Sequence, residues 1–100
     1  MIQLDERHLL LVKTILKKYQ YDIFVYGSRA KGTAKQFSDL DLCLKGKISM
    51  VEIGRIKGDF EESNLPIKVD LISWEAVSDA FKKQIEKDLI LLQENSQSPL

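Results

Sequence analysis

Apolar positions recur along the chain with two different periods, and the alternation between them lays out the elements. Over residues 5 to about 19, Leu9, Val12, Leu16 and Tyr19 fall at helical spacing behind Asp5, a suitable N-cap, so this stretch is predicted to be a helix. The run "DIFVY" (22–26) is β-branched and aromatic and stops at Gly27, as a short buried strand does. Residues 29–36 are small and basic and predict a short helix and a loop. In "SDLDLCLKG", Leu40, Leu42 and Leu44 alternate with Asp39, Asp41 and Cys43, the period of a second strand. Ser49 with Glu52 forms a capping box for a helix to about residue 62. Gly54 and Gly58 weaken that helix by about 1 kcal/mol each relative to alanine. Their shared face predicts close packing against a neighbour. Pro66 blocks continuation, "IKVDLIS" (67–73) is a third strand, and Ser73 caps a last helix to about residue 93.

The resulting order is α-β-α-β-α-β-α. It predicts an α/β (α+β) sandwich with a short mixed three-stranded sheet flanked by four helices. The first two strands are joined by roughly a dozen residues, short for a crossover helix, so an antiparallel pairing is open to them. That pairing would bring Gly27 beside Asp39 and Asp41.

Composition narrows the class. A chain of 100 residues is one domain, expected here over 1–93 with a flexible tail at 94–100. Acidic and basic residues balance at 15 each, which argues against direct nucleic-acid binding and against an anionic membrane surface. One cysteine, Cys43, allows no internal disulfide and suits a reducing compartment. With no apolar stretch of signal-peptide or membrane-spanning length, the expected location is the cytoplasm.

The stretch "GSRAKGTAKQFSDLDL" (27–42) carries the candidate chemistry. Residues i and i+2 of a strand share a face, so Asp39 and Asp41 point together. At about 4 Å and an effective dielectric near 20 their repulsion costs about 4 kcal/mol. A hard divalent cation removes that cost, and Mg²⁺ takes one or two carboxylates together with substrate phosphates. Taken alone, the pair also reads as the polar face of a half-exposed strand. The Gly27–Ser28 turn offers backbone amides and a hydroxyl to phosphate oxygens, with Arg29, Lys31 and Lys35 adding positive charge. Taken alone, these residues read as a plain turn and a solvated loop. Asp70 interrupts the apolar third strand, where a charge is expensive unless paired or metal-bound. It would either meet Asp39 and Asp41 or pair with Lys68 or Lys45. Three converging acids suit a two-metal site. Cys43 shares the aspartate face but is too soft a ligand for Mg²⁺. Tyr26 and Trp74 read as packing residues.

Gly-Ser, ten residues, Asp-x-Asp and a later lone Asp resemble the nucleotidyltransferase superfamily of DNA polymerase beta. More narrowly, "YGSRAKGTAKQFSDLDL" with "VDLI" is similar to the minimal nucleotidyltransferases, which act as antitoxins to HEPN-domain toxins. The resemblance implies that Asp39 and Asp41 hold two Mg²⁺ ions on ATP. It gives Asp70 a share of the second metal and the activation of the acceptor hydroxyl. Gly27 and Ser28 would hold the terminal phosphates, and Arg29 would neutralise the leaving pyrophosphate. The implied reaction moves AMP from ATP to a hydroxyl, expected to be a tyrosine, of a HEPN toxin, silencing it. Two other readings stay open: neutralisation by binding alone, and AMP transfer to a small molecule. The apolar surplus of "HLLLV" and "DLILLQ" suggests a partner surface or a homodimer seam, or helices sandwiched within the fold.

Overall fold

Burial on two sides of one sheet organises the molecule. The computed structural model describes residues 1–95, and the tail expected at 94–100 lies from residue 96 onward outside the described residues. The chain runs α1 (Glu6–Leu16), β1 (Asp22–Tyr26), α2 (Ser28–Lys31), β2 (Leu40–Lys45), α3 (Met50–Glu61), β3 (Val69–Ser73), α4 (Asp79–Ile85) and β4 (Ile90–Gln93). Short 3₁₀ turns at Trp74–Ala76 and Glu86–Asp88 flank α4. The sheet order is β3-β2-β1-β4. β1 pairs antiparallel with both β2 and β4, whereas β2 and β3 are parallel. Only the parallel pair needs a long crossover, and α3 is its helix.

The expected α/β class and the antiparallel β1–β2 pairing are both present. On one face, Ile23, Val25, Leu40, Leu42, Leu44 and Leu71 pack against Val12 and Leu16 of α1 and Ile53, Ile56 and Phe60 of α3. On the other, Tyr26 and Cys43 pack with Ile85 of α4, bordered by Ile72, Trp74, Phe81 and Leu89. Asp5 caps α1 by accepting from the Arg7 amide, and Ser49 caps α3 by accepting from the Glu52 amide. The Glu52 carboxylate does not complete a capping box. It accepts instead from the Tyr21 hydroxyl at 2.7 Å, tying the entrance of β1 to α3.

Two expectations about the C-terminal half need correction. The last helix is one short element of seven residues, and it is capped by Ser78 rather than Ser73. "ILLQ" is then a fourth strand instead of a helix end. A short apolar run fits either period. Here the open edge of β1 decides, because its backbone groups need partners. Gln93 reinforces the pairing by donating from Nε2 to the carbonyls of Tyr19 and Tyr21 at 2.7 and 3.3 Å. The surplus apolar character of this run is therefore that of a strand, with Leu92 in the core and Leu91 exposed.

The two glycines of α3 also behave differently from expectation. A Cβ built at Gly54 or Gly58 meets nothing within 4 Å, so no close packing within the chain requires them. Each therefore carries only the entropic cost of a helical glycine. Gly54→Ala and Gly58→Ala should each raise stability by roughly 0.5–1 kcal/mol, additively, in urea or thermal unfolding.

Candidate active site

Three elements meet at the end of the sheet where β1 stops and β2 begins. Tyr26 is the register partner of Asp41 across the antiparallel pair, and Asp41 is the register partner of Asp70 across the parallel pair. Partners in register share a face, so Tyr26, Asp41 and Asp70 form one row across three strands. Asp39 lies two residues before Asp41, just ahead of the strand, and is exposed. Among the described residues no ion pair involves Asp39, Asp41 or Asp70, so neither Lys68 nor Lys45 neutralises Asp70. Lys45 lies over the rings of Phe24 and Trp74 instead, at 4.7 and 4.6 Å.

The acids feel one another. Burial raises the pKa of Asp41 above the ordinary carboxylate value, and the nearby charges of Asp70 and Asp39 raise it further. Tyr26, 7% exposed, is likewise held protonated by burial and then by the Asp41 and Asp70 charges. Its ring packs edge-on against Phe81 at 5.9 Å, which anchors this end of β1 on α4. Cys43, on the same face but fully buried, has its thiol pushed up to about 11 by burial and is inert at neutral pH.

Gly27 brings the turn onto this row. It caps the one-turn helix α2 at φ 71°, a conformation that L side chains rarely adopt. A Cβ there would overlap Oδ2 of Asp41, so only glycine lets the backbone lie against that carboxylate. Ser28 follows as the first helical residue, where the leading amides of a helix have no intrahelical acceptor. Gly27, Ser28, Asp41 and Asp70 are thus gathered at one end of the sheet, with Asp39 at its rim.

Arg29 departs from the sequence-based expectation. It is 6% exposed, and its guanidinium is turned to backbone carbonyls rather than toward the Gly27–Ser28 turn. Nε and Nη2 donate to Ser38 O at 3.1 and 2.8 Å, and Nη2 also reaches Gln36 O and Lys35 O at 3.2 and 3.4 Å. Nη1 donates to Gln3 O at 2.8 Å. A guanidinium committed in this way orders the loop before Asp39. Lys31, the other base on α2, lies 3.9 Å from the Asp88 carboxylate. Neither Gln3 nor Asp88 stood out in the sequence. Each meets its partner only across 26 or more residues of chain, so no local pattern could signal it.

The donors here are all oxygen and the site is open. Among the described residues no three His, Cys, Asp or Glu side chains, the three expected acids included, stand as a group that could hold a metal ion, so the protein offers no closed cage of ligands. Mg²⁺ does not require one, because it commonly keeps waters and takes substrate phosphates beside one or two carboxylates. Asp39 and Asp41, two residues apart and unneutralised, fit that demand.

The family model for the polymerase beta nucleotidyltransferase domain matches residues 11–98. A Haemophilus influenzae protein named "Probable protein adenylyltransferase MntA" is 36% identical over 101 residues, covering 97% of this chain and 89% of the relative. The crystal structure of a toxin–antitoxin with AMP-PNP superposes with a TM-score of 0.70 at 20% identity, over 94% of this chain and 77% of that one. A tri-AMPylated Shewanella oneidensis HEPN toxin in complex with its antitoxin gives a TM-score of 0.66 at 15% identity, over 92% and 74%. At these identities the two structures speak for the fold alone.

Two variants probe the site directly. Because folding raises the Asp41 pKa, the metal-free fold loses stability as pH rises from 3.8 through the folded value, and the penalty persists above it. Asp41→Asn should therefore raise the metal-free melting temperature by a few degrees at pH 7, with the gain vanishing below about pH 4, in calorimetry across pH. Gly27→Ala should do the opposite, costing about 1–3 kcal/mol in urea unfolding through strain and displacement of Asp41.

Proposed function

The chain belongs to the polymerase beta nucleotidyltransferase family, and from that premise we propose that it transfers AMP from ATP to a hydroxyl of a partner toxin of the HEPN class, acting as its antitoxin. The observation that carries this reading is the row of unneutralised acids, Asp41 and Asp70 in register with Asp39 at the rim, laid against the backbone of Gly27. A relative at 36% identity carries the name of a protein adenylyltransferase, which supports the same class of reaction.

The chemistry follows from what each group offers. Asp39 and Asp41 would hold Mg²⁺, with Asp70 sharing a second ion. Bound there, the metal would supply positive charge on the phosphate oxygens and polarise the acceptor hydroxyl. The Ser28 hydroxyl and the leading amides of α2 bind terminal phosphate oxygens and orient the chain of phosphates. Asp70 receives the proton of the acceptor hydroxyl. The acceptor oxygen forms a bond to the α-phosphorus, the bond from that phosphorus to the bridging oxygen breaks, and pyrophosphate carries away the electron pair. Catalysis here is positioning and charge neutralisation, so no side chain needs to form a covalent intermediate. Among the described residues there is no second lobe to bind an acceptor, which a separate protein would supply. No described helix is long and apolar enough to cross a membrane, and a free buried Cys43 suits a cytoplasmic setting.

Incubation with labelled ATP, Mg²⁺ and a cognate HEPN-class partner should place label on that protein. Asp41→Asn and Asp70→Asn should each lower labelling by at least about 100-fold, and chelation should abolish it. Full neutralisation of the toxin by the unlabelling variants would instead mean that binding alone suffices. Label on a soluble small acceptor, with no partner present, would move the substrate class.

A further inference from the structure

The loop between α2 and β2 delivers Asp39, yet it contains no regular secondary structure. Such a loop would ordinarily blur the position of its last residue. Here it is pinned at nearly every step. Thr33 N–H donates back to Ser28 O at 3.0 Å. Lys35 and Ser38 close a turn on each other: the Lys35 amide donates to Ser38 Oγ at 2.9 Å, and the Ser38 amide to Lys35 O at 3.1 Å. Leu40 N–H, just past Asp39, donates to Lys68 O at 2.9 Å.

The remaining restraint comes from the N-terminal segment ahead of α1. Ile2 and Leu4 pack against the core, which leaves Gln3 between them directed to the loop. The Gln3 side-chain amide makes a two-way pair with the backbone of Ala34: Nε2 donates to Ala34 O at 3.0 Å, and Ala34 N–H donates to Oε1 at 2.8 Å. The Gln3 backbone makes a second two-way pair with Arg29, donating to Arg29 O at 2.8 Å and accepting from Nη1 at 2.8 Å. Arg29 in turn spans the loop from Lys35 to Ser38. A guanidinium buried this deeply is tolerated only with its donors satisfied, so its geometry is rigid.

We propose that Gln3 and Arg29 form a clamp that sets the position of the Asp39 carboxylate, making the N-terminal segment a working part of the metal–nucleotide site. Both are positioning residues: neither touches substrate, and each acts through the loop that carries Asp39. The assignment rests on the reading of Asp39 as a metal ligand. It differs from a direct electrostatic role of Arg29 at the phosphates in what Arg29→Lys would do. That substitution keeps the charge but removes the planar fork that holds three carbonyls of one loop.

The test measures binding of a non-hydrolysable ATP analogue to the full chain as a function of Mg²⁺ concentration, beside the metal-free melting temperature. In Gln3→Ala and Arg29→Lys the Mg²⁺ concentration for half-maximal binding should rise at least tenfold. Gln3 is exposed, so its variant tests the clamp even if Arg29→Lys folds poorly. Amide hydrogen exchange at residues 33–39 should accelerate in both. An unchanged Mg²⁺ midpoint in Gln3→Ala, with the parent chain binding normally, overturns the clamp, as does full retention of the parent's midpoint in Arg29→Lys. A parent chain that binds no nucleotide with Mg²⁺ overturns the site reading itself, and the clamp with it.

Discussion

The burial of Leu40, Leu42 and Leu44, each 1% exposed or less, is the constraint from which the rest of the site follows. These three leucines hold one face of β2 against α1 and α3. Because the side-chain period of a strand is two, they force Asp41 and Cys43 to the other face. A slip of one residue would bury the aspartates in the apolar core and expose the leucines. The core therefore defends the register of β2 with the full hydrophobic energy of its packing. The carboxylates inherit that accuracy without contributing to it. Asp41 costs the metal-free fold stability, as its raised pKa records.

β2 then spreads its register to both neighbours. Its antiparallel partner β1 ends beside Asp41, so the chain turns at Gly27 directly over the carboxylate. Its parallel partner β3 starts at the same end, so Asp70 arrives level with Asp41. A purely antiparallel or purely parallel sheet of these three strands would separate one of the two. The mixed sheet, with a tight connection on one side and α3 as crossover on the other, gathers the turn and the acids at a single edge. Tyr26 closes the row, its ring fixed against Phe81 and its hydroxyl kept protonated between burial and the acids.

Around this frame the structure engages two nearby cations elsewhere. Arg29 adjoins the Gly-Ser turn, yet its guanidinium is spent on carbonyls of the following loop. Lys45 ends the aspartate strand, yet it lies over Phe24 and Trp74. In both cases a cation has been drawn to a local acceptor or ring, and among the described residues no basic side chain forms an ion pair with the acids. That imbalance is what a site for metal and triphosphate requires, because the ligand must supply the missing charge.

By itself the sequence determined the periods of the first three strands, the outward face of Asp41, the opposition of Asp70 to Val69 and Leu71, and the glycine at the turn. Each of these is local: it depends on residues one to four apart and on steric or burial rules acting within one element. Only the tertiary structure decided that "ILLQ" is a strand, because the run fits two periods and the free edge of β1 selects one. Likewise it decided where the Arg29 guanidinium points and that Gln3 matters at all, since both depend on hydrogen-bond partners brought close by folding. Periodicity carries information about which side of an element is buried; it carries none about which distant carbonyl a buried donor will find.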